Sequence, residues 1–260
     1  MTPLELTRVR WDVAEPAPSR LARAGGRAAG VGATMLATAH RLRKIDAEGS
    51  TGRRERARVL RDAARRALEL HGLEVRSSGP LPLGPVLLAS NHVSWLDPLV
   101  VASLVPCAPV SKIDVSRWPI VGALARDLGV VFVARGDASS GARALRQARA
   151  ALDHGVPVLN FPEATTTVGT SVLPFRAGAF GLAISAGVPV VPVALRYDPP
   201  ELAWVGEDSF VPHWLRLASS RRARAIVALG EPMQPSEHAN AAAVARAVHA
   251  EVSRLLQELR

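Results

Sequence analysis

The stretch Ser90-Asn91-His92-Val93-Ser94-Trp95-Leu96-Asp97-Pro98 holds an imidazole and a carboxylate five positions apart, directly after the apolar run Pro85-Val86-Leu87-Leu88-Ala89. A histidine that takes a proton from a hydroxyl needs a group that fixes its tautomer and stabilises the imidazolium, and a carboxylate does both. Residues five apart in a continuous helix lie about 140° apart around the axis and do not meet. His92 and Asp97 therefore work as base and orienter only if a turn separates them. The same residues have a second reading without chemistry, in which Asp97-Pro98 starts a helix, Asp as the N-cap and Pro at the first helical position, and His92 is a polar residue closing a strand.

The elements that must position this pair follow from the periodicity. From Leu73 onward short apolar runs alternate with amphipathic stretches. The pattern predicts strands at Glu74–Ser77, Pro85–Ser90, Pro109–Lys112, Val130–Ala134, Pro157–Phe161, Pro189–Arg196 and Ala225–Gly230. Helices are expected near Asp97–Leu104, Val115–Asp127, Ser140–His154, Ala177–Ala186 and Glu237–Leu259. Such alternation implies an α/β fold with a largely parallel central sheet flanked by helices, its functional groups at the carboxyl ends of strands.

Other candidate groups fall at such ends. Lys112, one of two lysines in the chain, closes the third strand, and Arg135 follows the fourth. A fixed guanidinium there suits a phosphate, which it meets with paired N–H donors. Glu163 lies in Phe161-Pro162-Glu163-Ala164-Thr165-Thr166-Thr167, a strand end running into a polar loop that continues to Arg176. The threonine hydroxyls and loop amides offer donors to an oxyanion.

Charge is unevenly placed. The formal net charge of +9 comes mostly from residues 1–72, which hold 15 Lys+Arg against 8 Asp+Glu, while the remainder holds 17 against 15. Residues 1–18 read as a leader. Ser19 to Leu42 and Arg53 to His71 read as two basic helices, the second with a stripe of Val59, Leu60, Ala63, Ala64, Ala67, Leu68 and Leu70. Such a pair can lie on an anionic membrane surface, but the residues alone favour an ordinary hairpin packed on the domain that follows, 73–260, with a solvated charged face. The longest uncharged run near the start, Ala28 to Ala39, is short of the ~20 residues that span a bilayer. Aromatic residues are almost absent among the arginines, which argues against nucleic acid as partner. With a single cysteine, Cys107, and no paired-histidine ligand motif, neither an internal disulfide nor a metal is expected.

Taken together and in order, these segments resemble the 1-acyl-sn-glycerol-3-phosphate acyltransferase family of glycerolipid acyltransferases. The first family block matches Asn91, His92 and Asp97. The second matches Lys112, Pro119, Gly122, Gly129, Phe132 and Arg135; the third Phe161, Pro162, Glu163 and Thr165; the fourth Val188-Pro189-Val190-Val191-Pro192. The resemblance implies that His92 is the general base on the free hydroxyl of a lysophospholipid, oriented by Asp97. The hydroxyl then attacks the thioester of acyl-CoA or acyl-carrier protein, with no other cofactor. Arg135 and the Glu163 loop would hold the acceptor's phosphate, with Lys112, Thr165, Thr166 and Arg176 as further binding candidates. The helix pair would seat the enzyme on the cytoplasmic face of the membrane, as a peripheral protein.

Two departures stand out. Ala164 occupies the family's glycine position, where a positive φ would cost it more than glycine, and Thr166 occupies a position that is usually arginine. Threonine there, with Val-Ser-Trp-Leu-Asp in the first block, looks more like the branch that acylates lyso-ornithine lipid, while the Arg135 match places lysophosphatidate slightly ahead. A non-enzymatic lipid-binding protein with a degenerate site is the alternative of another class, and the intact His92/Asp97 pair argues against it. No Gly-x-Ser-x-Gly is present to support a serine hydrolase.

Overall fold

The computed structural model describes residues 17–46, 49–134, 136–206, 209–220 and 222–259. Most of the leader expected at 1–18 lies outside the described residues, as do Arg135 and residues 47 and 48 between the two N-terminal helices. The chain opens with α1 (Ala17–Leu42) and α2 (Gly49–Leu70), followed by β1 (Leu73–Ser78), β2 (Leu87–Ser90) and α3 (Asp97–Leu104). Next come β3 (Ala108–Lys112), α4 (Val121–Asp127), β4 (Val131–Val133), α5 (Ala138–Asp153), β5 (Val158–Asn160), α6 (Gly178–Ala186) and β6 (Val190–Asp198). The chain closes with α7 (Phe210–Ser219), β7 (Ala223–Leu229) and α8 (Ala241–Glu258).

The strands form one seven-stranded sheet in the order β1-β7-β6-β2-β5-β3-β4. Strands β6, β2, β5, β3 and β4 are parallel; β7 runs antiparallel to β6, and β1 parallel to β7. A strand covered on both faces needs apolar side chains on both, and β2 shows it: Leu88 packs with α2 and α3, while Leu87 and Ala89 pack with α5, α6 and α8. The carboxyl ends of β2, β5, β3 and β4 therefore emerge together on one edge of the sheet.

Two helical expectations change. The stretch 115–127 is not one helix: a 3-10 turn, Ile113–Arg117, breaks at Trp118-Pro119 before α4. Proline lacks the N–H that would continue the turn, and Ile120 has φ 63°. At Gly122 a Cβ would come within 2.1 Å of the Ser116 carbonyl oxygen, so only glycine lets the two pieces close up. The helix α7 was not expected, although Phe210, His213, Trp214 and Leu217 carry the i, i+3, i+4, i+7 spacing. Pro212 and the surrounding loop residues mask that signal.

The N-terminal pair packs on the domain. The stripe of α2 is turned inward, with Val59, Leu60, Ala64 and Leu68 in the core against α3, and Arg65 Nε donating to the Ser103 carbonyl at 2.7 Å. Helix α1 crosses to α7, where Arg27 Nη1 donates to the carbonyls of Leu217, Ala218 and Ser220 at 3.1, 3.0 and 2.7 Å, and Arg23 reaches Ser219 at 3.0 Å. Two cations thus meet the negative end of α7. Replacing Arg27 with Ala leaves these carbonyls without a charged donor and should lower the unfolding free energy in urea by about 1–3 kcal/mol.

Candidate active site

The first block is a tight turn held by one carboxylate. Asp97 is the first residue of α3 and fully buried, and its Oδ2 accepts from the backbone N–H of Val93 at 2.6 Å and of Ser94 at 2.9 Å. The same oxygen accepts from His92 Nδ1 at 2.7 Å. The carboxylate therefore faces back across the turn. It does not cap α3, whose N-cap position is Leu96 and has no side-chain cap bond. Because Nδ1 donates to Asp97, the neutral ring carries its lone pair on Nε2, the nitrogen that can accept a substrate proton.

His92 sits at the end of β2 with its ring stacked on Phe161, centroids 4.2 Å apart and planes 22° from parallel. Its backbone N–H donates to Glu163 Oε1 at 2.7 Å, and the N–H of Leu173 donates to Oε2 at 2.8 Å. Glu163 is buried, and burial pushes its carboxyl above the ordinary range, against the lowering effect of these two N–H groups. The carboxylate thus ties the end of β2 to the loop after β5. Thr167 N–H adds a bond to the His92 carbonyl at 2.9 Å. On the other side, Asn91 clasps β6 through both faces of its amide: Nδ2 donates to the Leu195 carbonyl at 2.9 Å and Oδ1 accepts from Leu195 N–H at 2.8 Å.

The remaining candidates are placed unevenly. Lys112 closes β3 as expected, exposed and ion-paired with Asp114 at 2.6 Å. Arg135 lies outside the described residues, two positions after the end of β4 at Val133. Thr165 and the Arg176 side chain are exposed, and Thr166 is half-buried. Of the three threonines read as donors to an oxyanion, the one that touches the first block is Thr167, through its backbone N–H to the His92 carbonyl. Tyr197, Asn91 and Phe161 also have closer ties to the His92–Asp97 turn than spacing alone could reveal.

The departure at Ala164 has a structural counterpart. Its N–H donates to the Phe161 carbonyl at 3.0 Å, closing a turn, and its φ is 57°, in the left-handed region where a Cβ is disfavoured. Gly169, further along the same loop, combines φ 76° with the side chain of Val93, which a Cβ would approach to 3.1 Å. Glycine at 164 would relieve the strain but add unfolded-chain entropy. Ala164→Gly should therefore raise the unfolding free energy by a net of about 0.5–1 kcal/mol in a urea titration.

Residues 68–196 match the sequence pattern of the acyltransferase family. The lyso-ornithine lipid O-acyltransferase of Pseudomonas aeruginosa is 37% identical over 179 residues, covering 66% of this chain and 68% of that protein. A second lyso-ornithine lipid O-acyltransferase, from Rhizobium meliloti, is 35% identical over 208 residues, covering 73% and 71%. The 1-acyl-sn-glycerol-3-phosphate acyltransferase of Neisseria gonorrhoeae is 36% identical over 163 residues, covering 63% and 64%. The crystal structure of PlsC, the 1-acyl-sn-glycerophosphate acyltransferase of Thermotoga maritima, superposes with a TM-score of 0.72 over 92% of this chain and 95% of that one, at 21% identity. That likeness shows a common fold.

Proposed function

The chain belongs to the acyltransferase family, and we propose that it moves an acyl chain from acyl-CoA or acyl-carrier protein to the free hydroxyl of a lysolipid, with His92 as the general base. The single observation that carries this reading is the 2.7 Å bond from His92 Nδ1 to a fully buried Asp97. It leaves Nε2 as the basic nitrogen and supplies a negative charge for the imidazolium that forms. The hydroxyl loses its proton to Nε2 as its oxygen attacks the thioester carbonyl, and the thiolate leaves. The same imidazolium can return the proton to the departing sulfur.

For the acceptor, lyso-ornithine lipid is the first reading. Thr166 stands where the third block of the family usually carries a cation, and the ammonium of Lys112 is engaged by Asp114. Two of the relatives compared act, by name, on that lipid. Lysophosphatidate is the second reading, supported by Arg135 at the matching position of the second block and by the Neisseria relative. The test is acyl transfer from a long-chain acyl-CoA, and from acyl-carrier protein, to both lysolipids, with His92→Ala as control. Loss of a general base should lower kcat by ~10²–10⁴. A parent preference for lysophosphatidate would reverse the order of acceptors, and a His92→Ala enzyme as fast as the parent would remove the mechanism.

Among the described residues no helix is long and apolar enough to cross a membrane. We assign the lipid contact to α1, because α2 spends its apolar stripe on the core. Leu21 and Leu36 on α1 are 72% and 75% exposed and lie about 60° apart around the axis, among alanines and glycines. This peripheral seat would face the cytoplasm and prefer anionic lipids. Leu21→Asp together with Leu36→Asp should lower binding of the full chain to anionic vesicles at least about tenfold in a flotation assay. Partition that ignores both the substitutions and the lipid charge would remove α1 from the membrane.

A further inference from the structure

The two oxygens of Asp97 are held in different ways. Oδ2 accepts from three groups within its own turn: the ring of His92 and the N–H groups of Val93 and Ser94. Oδ1 accepts from the hydroxyl of Tyr197 at 2.7 Å, a residue 100 positions away on β6. Tyr197 is buried in the core between the sheet and α2, α3 and α7. We propose that Tyr197 is a positioning residue for acyl transfer, its O–H fixing through Asp97 Oδ1 the plane and the basicity of the carboxylate on which His92 depends; this rests on His92 being the base.

The physical reason is that a carboxylate held through one oxygen still rotates about its last side-chain torsion, which is broad and roughly two-fold. A second fixed donor on the other oxygen removes that freedom. It also draws charge from the carboxylate, so the strength of this donor sets how tightly Asp97 pairs with an imidazolium. The phenol can play this part at every working pH, because burial and the charge of Asp97 hold its ionisation well above the ordinary tyrosine range. Its height is set by the Asn91–Leu195 clasp. Leu195 and Tyr197 lie two apart on β6 and so point to the same face of the sheet, and the clasp locks the register of β6 against the end of β2. The other titratable groups facing the turn are Glu163, from the loop after β5, and His213 on α7, which accepts from Trp95 Nε1 at 3.0 Å. The Tyr197 hydroxyl donates directly to Asp97 Oδ1, so a change at 197 acts on that carboxylate.

Tyr197 is the only tyrosine in the chain, so feeding 3-fluorotyrosine alters this phenol alone. Fluorine makes it a stronger donor with almost no change of shape, whereas Tyr197→Phe removes the donor. Rate–pH profiles of the full chain should then move in opposite directions. Without the hydroxyl, Asp97 pairs more strongly with the imidazolium, and the acid limb shifts up by about half a pH unit; with the fluorophenol it shifts down. In Tyr197→Phe, kcat should fall about tenfold while the KM of each substrate stays within about twofold. An unmoved acid limb in both proteins, or a raised KM with kcat intact, overturns the proposal. If the Phe protein does not fold, the fluorotyrosine protein decides by the direction of its limb. NMR titration of the His92 ring in parent and altered proteins separates this inference from the reaction itself. A parent inactive on every lysolipid would end the proposed reaction, yet opposite displacements of the His92 midpoint would still uphold the coupling, and coincident midpoints would end it.

Discussion

A carboxylate removed from water has to be met by donors on both oxygens, and at Asp97 that requirement organises the middle of the molecule. The donors come from the turn between β2 and α3, from the ring of His92, and from β6 on the neighbouring strand. Satisfying them fixes the geometry of six residues of turn and the register of one strand pair. An unpaired buried charge would cost several kcal/mol, so the arrangement is one that the fold cannot cheaply give up. Glu163 repeats the device a few ångströms away, with one oxygen on His92 N–H and the other on Leu173 N–H. The imidazole is thus framed by two buried acids, one holding its ring and one holding its backbone.

Much of this was legible in the sequence because it is local. The seven strands follow from short apolar runs bounded by Gly, Pro and polar residues, and all seven appear within a few residues of their expected places. The His92–Asp97 pair follows from spacing and the helix-start signal Asp97-Pro98. The role of Asp97 was harder to settle, since an N-cap and an orienting acid look alike in one dimension; only the direction of the carboxylate separates them. Tyr197 was not legible as a neighbour of the site, nor was the partner of Asn91, Leu195. Their ties to it cross about a hundred positions, and no periodicity announces a contact of that range. Helix α7 was missed for another reason: Pro212 in its first turn reads as a loop signal, though proline is tolerated there.

Arginine was the least informative residue type to read from sequence. The basic first segment suggested either an anionic surface or a solvated charged face, yet its arginines serve other uses as well. Arg27 and Arg23 meet the carboxyl end of α7, Arg65 meets the end of α3, and Arg41 joins α1 to α2 through Asp62 at 3.1 Å. Each guanidinium has five N–H donors and a long apolar stem, so it can close a helix end and cover apolar surface at once. Net charge counts cations without distinguishing these uses.

The clamp of Arg23 and Arg27 on α7 makes the first helix part of a mechanical train. Helix α1 holds the carboxyl end of α7; α7 holds the indole of Trp95 through His213; and Trp95 lies inside the turn that carries His92. A force that tilts α1 is therefore delivered, by way of one helix, to an indole three residues from His92. The first helix and the turn that carries His92 share a lever whose fulcrum is α7.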